Sequence, residues 1–188
     1  MKKTILIILI ILIVGLAYIF IPVKVTGSLY VVTNAVDVIP IPITQIKVYP
    51  LKEFRKALFD KQSYANKECM GLPDKNEVEL AYLNGGPNRN NAKANYELIV
   101  SCETSSLIKE IQLPAVQTIQ TNKNGEFAFS RSRLDNFVLL SEAQRQVGLE
   151  TERYLWLRVI PHQGLLSQHL EINNDNLINN TDIRNIQL

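Results

Sequence analysis

The chain opens with a long apolar stretch. Twenty residues without a charge, 4–23, follow Lys2 and Lys3. As a helix, this stretch would be about 30 Å long, which matches the hydrocarbon core of a bilayer. Basic residues before an apolar stretch favour a cytoplasmic N-terminus. We therefore predict a single-pass membrane anchor in residues 1–24, with residues 4–23 in the bilayer and the rest of the chain periplasmic or extracellular.

A cleaved signal peptide begins in the same way and is the alternative to an anchor. The apolar stretch is longer than the roughly 7 to 15 residues typical of a signal peptide. The nearest small-x-small site, residues 25–27, overlaps the first predicted strand, so cutting there would damage the fold. We therefore favour an uncleaved anchor.

Beyond residue 24, the apolar positions change to a period of two, which is typical of strands with one buried face. The runs 25–33 and 43–49 show this pattern. Pro40 and Pro42 lie between them and indicate a connection or a sheet edge, because proline cannot donate a backbone hydrogen bond. Further strands are predicted at 116–130, 137–144, 153–161 and 167–173.

The run 116–130 carries a hairpin signal. Asn124 and Gly125 supply the positive φ angles that a tight turn needs. Phe127 and Phe129 alternate with polar neighbours after the turn. We expect two antiparallel strands that pair with each other across this turn.

In the middle of the chain the pattern becomes helical. Leu51, Phe54 and Leu58 have the spacing of one helix face and predict a helix of about three or four turns. Residues 83–95, rich in Gly and Asn, are predicted to form an exposed loop. Residues 96–111 suit either a second helix or a strand.

This order of elements, strands then helices then strands, predicts a mainly β fold. We expect an Ig-like antiparallel β-sandwich over residues 25–188, with a helical insertion at about 51–113, preceded by the transmembrane helix. About 160 residues follow the anchor, which fits one domain with its own core.

Several stretches resemble a known family. VTGSLYVV at 25–32, ITQIKVY at 43–49 and TNKNGEFAFS at 121–130 are similar to the carboxypeptidase regulatory-like, or transthyretin-like, β-sandwich family. ERYLWLRV at 152–159, followed by LEINNDNL at 170–177, resembles bacterial exported proteins of that type with no assigned activity. The resemblance implies a transthyretin-like fold and no reaction, because such domains commonly act as packing or interaction modules.

The charges exclude one class of partner. The chain has 20 Lys and Arg against 18 Asp and Glu, a formal net charge of +2, and they are scattered rather than grouped. Binding of nucleic acid usually requires a clustered basic surface. We therefore expect no nucleic-acid partner.

Cys69 and Cys102 are the only cysteines. An even number of cysteines, in a compartment that permits disulfides, indicates that the two are bonded. Such a bond would stabilise the insertion by about 3 to 4 kcal/mol. The alternative is two separate buried thiols. Because no further Cys or His lies near them, we expect neither a zinc site nor another cofactor.

The candidates for catalysis are few. His162 and His169 are the only histidines, and without a nearby acidic or thiol ligand they would make a weak metal site. Glu150 and Glu152 could act as an acid and a base only if their environments separated their pKa values. The motifs of serine hydrolases, phosphate-binding loops and HExxH metalloproteases do not occur. We predict no catalytic residues and no enzymatic activity.

The Asn-rich end of the chain, residues 170–188, is predicted to be a solvated tail or a strand donated to a partner. Asn179 begins an N-x-T sequence, which would accept a glycan if the source were eukaryotic.

We expect the protein to be an anchored interaction or structural module of the cell envelope, with another envelope protein as its partner. One alternative is an anchored envelope hydrolase, which would gather His162 and His169 with the acidic pair in one pocket. A second alternative is a sandwich that binds carbohydrate or a small ligand through Trp156 and Tyr154, although a lone Trp is more often part of a core.

Overall fold

The computed structural model describes residues 15, 18, 20–85, 87–161 and 167–188. Within these residues the chain forms eight strands and four α-helices. In order they are β1 (Val23–Val32), β2 (Val38–Pro40), β3 (Gln45–Pro50), α1 (Leu51–Glu68), α2 (Lys75–Asn84), α3 (Arg89–Ser101), α4 (Thr104–Lys109), β4 (Gln117–Gln120), β5 (Glu126–Arg131), β6 (Phe137–Val147), β7 (Glu150–Ile160) and β8 (Gln168–Ile172). Two short 3₁₀ turns follow, at Asn174–Asn176 and Ile183–Asn185.

The strands form two sheets, as a β-sandwich requires. In the first sheet, β1 pairs antiparallel with β5 and β2 and parallel with β8. In the second sheet, β4, β3, β6 and β7 follow one another, and every neighbouring pair is antiparallel. Pro40 lies in the three-residue strand β2, consistent with the edge position that its missing N–H predicts.

The main core lies between the sheets. Inward-facing side chains come from alternate positions of each strand, as the period of two predicts. They include Val25, Leu29, Phe127, Phe129, Leu170 and Ile172 from the first sheet and Ile46, Val48, Leu139, Trp156 and Ile160 from the second. Each large side chain buried in this way contributes about 1.5 to 3 kcal/mol. Gly27 lies where there is no room for a side chain, because an added Cβ would meet the ring of Phe127 and lie 2.5 Å from the carbonyl oxygen of Leu170.

The second sheet is buried on both faces. Its outer face carries Leu155 and Leu157, which form a second core with Phe54 and Leu58 of α1 and Leu107 of α4. Strand β7 therefore needs apolar residues at consecutive positions, and its segment RYLWLRVI at 153–160 supplies them. The molecule has three layers: the first sheet, the second sheet and a helical layer.

The helical layer is more extensive than its sequence predicts. The expectation of an exposed loop at 83–95 is wrong for most of that range, because α3 begins at Arg89. Helix α2, at Lys75–Asn84, was not predicted, because only Val78 is buried along it and no apolar face marks it. The ambiguous run 96–111 is helical rather than a strand. Stacking of Tyr82 on Tyr96, with ring centroids 6.3 Å apart, joins α2 to α3.

The predicted hairpin at 116–130 is also wrong, although its turn is correct. Gly125 has a φ of +74°, and its N–H donates to the carbonyl of Asn122 at 3.0 Å. However, β4 pairs with β3 in the second sheet, whereas β5 pairs with β1 in the first. The turn therefore carries the chain from one sheet to the other, which local turn chemistry does not reveal.

The C-terminal segment after β8 is not a solvated tail, because it packs against all three layers. Asn174 bonds the end of β1, and Ile178 donates from its N–H to the carbonyl of Leu155 in β7 at 2.9 Å. Ile183 and Ile186 then pack into the second core, between the helices and the second sheet. We call residues 173–188 the C-terminal strap.

Among the described residues, no helix is both long enough and apolar enough to cross a membrane. Most of the predicted anchor lies outside the described residues, which include only positions 15, 18 and 20–23 of that stretch.

Candidate functional site

One face of the first sheet is covered by none of the helices that the structure describes. Because the apolar side chains of β1, β5 and β8 point into the core, their alternate residues point away from it. We call this surface the open face. It consists of Thr26, Ser28 and Tyr30 from β1, Glu126, Ala128 and Ser130 from β5, and His169 and Glu171 from β8.

Side chains on the open face are arranged by strand register. Thr26 lies between Ala128 and His169, and Ser28 lies between Glu126 and Glu171. The centre of the face therefore has short side chains, and longer polar side chains lie on both sides of it. This arrangement leaves the small side chains of Thr26 and Ser28 partly accessible to a ligand or a partner.

A hydrogen-bond network orients the side of the open face next to the strap. The hydroxyl oxygen of Thr26 lies 3.2 Å from Nδ1 of His169. The hydroxyl of Tyr30 donates to Glu171 at 3.1 Å and accepts from the side-chain amide of Asn173 at 3.3 Å. These contacts hold the side chains of Tyr30 and Glu171 in place, while His169 remains exposed.

Two shallow hollows meet at His169. One, of about 510 Å³, lies over the centre of the open face and is lined by Thr26, Ser28 and Ala128 among others. The other, of about 520 Å³, lies beside β8 and includes Glu171 and Arg158. The hollow beside β8 is mostly polar, whereas the one over the open face is of mixed polarity. Both are wide open, which suits a surface contact better than an enclosed small molecule.

The residues considered for hydrolysis are not brought together within the described part of the chain. His169 is on the open face of the first sheet, whereas Glu150 and Glu152 are exposed on β7 of the second sheet. His162 lies outside the described residues. No group of three or more His, Cys, Asp or Glu residues that could hold a metal occurs in the ranges that the structure describes.

Trp156 is part of the core. Its side chain is 1% exposed, and its ring stacks on Tyr154 with centroids 5.3 Å apart. A buried ring cannot serve as a platform for a sugar, so the use of Trp156 for carbohydrate binding is wrong. Burial raises the pKa of Tyr154, and a hydrogen bond to Glu152 raises it further.

Apart from the two hollows beside His169, a cleft of about 560 Å³ lies between the helical layer, β7 and the strap. We call it the second cleft. Its charged side chains are largely paired with each other. Lys109 lies 2.6 Å from Glu142, and Arg184 donates to Asp182, which lowers the pKa of that carboxyl group. Mutual pairing leaves few charges here for a ligand.

Cys69 and Cys102 form the predicted disulfide. Cys69 follows the last residue of α1, and Cys102 follows the last residue of α3. The bond therefore holds two helix ends together and lines the second cleft. It is a structural feature of the helical layer and lies away from the open face.

Sequence reasoning missed the open face, although a signal for it was present. The alternation of Val25, Leu29 and Val31 with Thr26 and Ser28 assigned one face of β1 to the core. It did not show that helices would cover the second sheet and leave the first sheet open.

No protein-family model matches the chain, and no curated protein matches it. Similar solved structures include a candidate carbohydrate-binding protein from Pseudomonas aeruginosa, 13% identical with a TM-score of 0.42, where the match covers 81% of this chain and 88% of the other. Two structures of the pilus backbone protein RrgB from Streptococcus pneumoniae are each 10% identical, with TM-scores of 0.23 and 0.22. They cover 80% of this chain and only 41% and 30% of the pilin chains. Similarities of this size do not establish a shared function.

Proposed function

We propose that the protein is a membrane-anchored interaction module of the cell envelope, facing away from the cytoplasm, and that it binds a protein partner through the open face without catalysis. The observation that carries the proposal is the asymmetry of the sandwich. Helices and the strap cover the second sheet, whereas the first sheet presents an ordered polar face with short side chains at its centre.

Two further features support the location. The apolar stretch at 4–23 is long enough to span a bilayer. A disulfide between Cys69 and Cys102 is typical of proteins that fold outside the cytoplasm. The transthyretin-like resemblance of β1, β3 and β5 fits the same role, because such domains commonly act as interaction modules.

The test is site-specific photo-cross-linking of the full-length protein in its native membrane. A photoreactive residue is placed at Ser28 or at Ala128 on the open face. Matched controls place it at Lys56 and Lys93, which are exposed on the helical layer. We expect the same envelope protein to be captured from both open-face positions and from neither control position.

Two results would reject this function. Equal capture from all four positions would show that the open face has no special role. Turnover of an envelope peptide or glycan by the full-length protein, abolished by His169→Ala, would instead support the anchored hydrolase.

A small-ligand function is the second candidate, and the partly exposed hydroxyl groups of Thr26 and Ser28 favour it. Saturable protection of the open face by a soluble glycan, with no protein captured, would support this candidate over the interaction module.

A further inference from the structure

A buried arginine lies in a different part of the molecule, away from the centre of the open face. Arg131, the last residue of β5, is only 4% exposed. Its register partner is Val23, the first residue of β1, so it lies at the end of the sandwich where the N-terminal segment joins. We call this the proximal end.

Among the described residues, the Arg131 guanidinium donates hydrogen bonds only to neutral groups. Nη1 donates to the carbonyl of Asp135 at 3.1 Å, and Nη2 donates to the carbonyl of Pro161 at 3.3 Å. Longer contacts reach the carbonyl of Ser132 and the side chain of Gln168. Nε is buried and has no partner within the described residues.

No carboxylate of the described residues forms an ion pair with Arg131. Burial alone lowers the pKa of its guanidinium. Because removing a charge from water is costly, buried cations in proteins normally lie beside an anion. Within the described residues, Arg131 therefore has neutral acceptors but no anion beside it, and one of its N–H groups is buried without a partner.

Arg131 lines a cavity of about 790 Å³ at the proximal end, and the first turn of α1 lines the same cavity. The N–H groups of Lys52 and Glu53 have no acceptor within the helix, and Pro50 before them has no side chain able to cap them. The N–H of Leu51 is occupied, because it donates to the carbonyl of Asn136 at 2.9 Å.

Charges around the cavity are mixed but favour an anion. Lys52 and Arg55 line it together with Arg131, whereas Glu53 and Asp135 are the acidic members. Three basic and two acidic side chains leave one net positive charge. The partial positive charge of the helix N-terminus adds to this.

We propose that the proximal cavity binds a phosphate group, held by Arg131, Lys52 and the first-turn amides of α1. Two sources share this chemistry: the phosphate of a membrane lipid headgroup and a free phosphate ester. The lipid source rests on the proposed membrane anchor, because only an anchored chain holds the proximal end at the bilayer surface. Phosphate binding itself does not depend on the anchor.

The loop that follows β5 connects the proximal end to the residues before β1. Nε of Arg133 donates to the carbonyl of Ile21 at 2.8 Å, and its guanidinium lies 4.3 Å from the centroid of the Tyr18 ring. The loop after β5 therefore contacts the residues that lead into β1, so the cavity lies within a few residues of the predicted anchor.

The test is calorimetric titration of the full-length protein with inorganic phosphate, in an uncharged detergent. We expect saturable binding that weakens about tenfold or more in Arg131→Gln, because that substitution removes a charge-assisted contact. Lys52→Gln should weaken binding about threefold. Lys56→Gln, one turn further along α1 and outside the cavity, is the matched control and should bind as the wild type does.

Repeating the titration in lipid nanodiscs distinguishes the two sources. Weaker binding of inorganic phosphate in nanodiscs of phosphatidylglycerol or of phosphatidylcholine than in detergent would identify the lipid headgroup, because both lipids carry a phosphate group. Undiminished phosphate affinity in both discs would identify a free phosphate ester.

The proposal fails if the wild type shows no saturable phosphate binding, or if Arg131→Gln and Lys52→Gln both bind as tightly as the wild type. If Arg131→Gln does not fold, judged by the fluorescence of the buried Trp156, Lys52→Gln decides the outcome. An unaltered affinity in that variant then overturns the proposal. Failure of phosphate binding leaves the open-face proposal unaffected, because the two surfaces share no residue that binds.

Discussion

Two asparagine side chains act as substitutes for backbone. The Asn174 amide accepts from the N–H of Val32 at 2.9 Å and donates to its carbonyl at 2.7 Å. The Asn179 amide accepts from the N–H of Leu155 at 2.6 Å and donates to the carbonyl of Arg153 at 2.7 Å. Each side chain pairs with a strand as another strand would. Asn179 is therefore occupied and unavailable as a glycan acceptor in the folded chain.

Replacing Asn179 should be costly. Asn179→Ala leaves the N–H of Leu155, a buried residue, without its acceptor, so we expect the free energy of unfolding to fall by about 1 to 3 kcal/mol. Asn180→Ala, at the next and more exposed position, is the control. Urea unfolding followed by Trp156 fluorescence measures both variants. Equal stability of the two would contradict the role assigned to Asn179.

The tight contact at Gly27 provides a second test at this scale. A methyl group there would collide with Phe127 and with the backbone of β8, so Gly27→Ala should destabilise the protein by about 1 to 3 kcal/mol. Ser28→Ala changes the neighbouring residue on the open face and should have little effect. A thermal-denaturation difference near zero between the two variants would show that the sheets adjust easily.

At the scale of elements, the helical layer depends on covalent and tertiary support. Helix α2 buries only Val78, and α3 buries only Ala92. A helix with so little buried surface is marginal by itself. The disulfide between the ends of α1 and α3 supplies part of the missing support.

Removing the disulfide should therefore weaken the molecule. The bond has a sequence separation of 33, for which chain entropy predicts a loss of about 3 to 4 kcal/mol in the Cys69→Ser, Cys102→Ser double variant. Urea unfolding measures the loss, and reduction of the wild type should reproduce it. Addition of reductant to the double variant is the control and should change nothing. Unchanged stability after reduction of the wild type would contradict this account.

At the scale of the whole molecule, the strap joins the three layers and covers part of β7, an edge strand of the second sheet. Uncovered edges tend to pair with other chains. The strap also contributes Ile178, Ile183 and Ile186 to the second core. Its removal would expose an edge and an apolar face together.

The response to pH also belongs to the whole molecule. Burial raises the pKa of Tyr49 and Tyr154 from 10.0, and a hydrogen bond to Glu103 raises that of Lys75 from 10.5. Folding favours the protonated form of all three groups. Their contribution to the free energy of unfolding is therefore complete below about pH 10 and is lost as the pH rises through their raised folded-state pKa values. A hydrogen bond from Arg184 lowers the pKa of Asp182 from 3.8, so its contribution is lost as the pH falls through the lowered value.

We therefore expect stability to be nearly constant in the neutral range and to fall above about pH 10 and below about pH 4. Urea unfolding across this range is the measurement. Tyr49→Phe should flatten the alkaline fall, whereas Tyr64→Phe, on the exposed surface of α1, should leave it unchanged. An alkaline fall of the same slope in both variants would exclude Tyr49 as a cause.

Local patterns in the sequence were sufficient to predict every strand except β2, and the helix that begins at Leu51. Strand alternation depends only on the pleat of the backbone, and the spacing of Leu51, Phe54 and Leu58 depends only on the helical period. The disulfide was also predictable, because Cys69 and Cys102 are the only two cysteines.

Only the tertiary structure decided which surfaces are buried and which strands pair. The turn at Gly125 is encoded locally, but its two strands joined different sheets because their partners, β1 and β3, are distant in sequence. The open face and the proximal cavity likewise arise from residues far apart in the chain. Their long-range packing leaves no periodic signal. The sequence by itself therefore determined most strands and α1, whereas tertiary packing decided α2, the pairing of the strands and the sites.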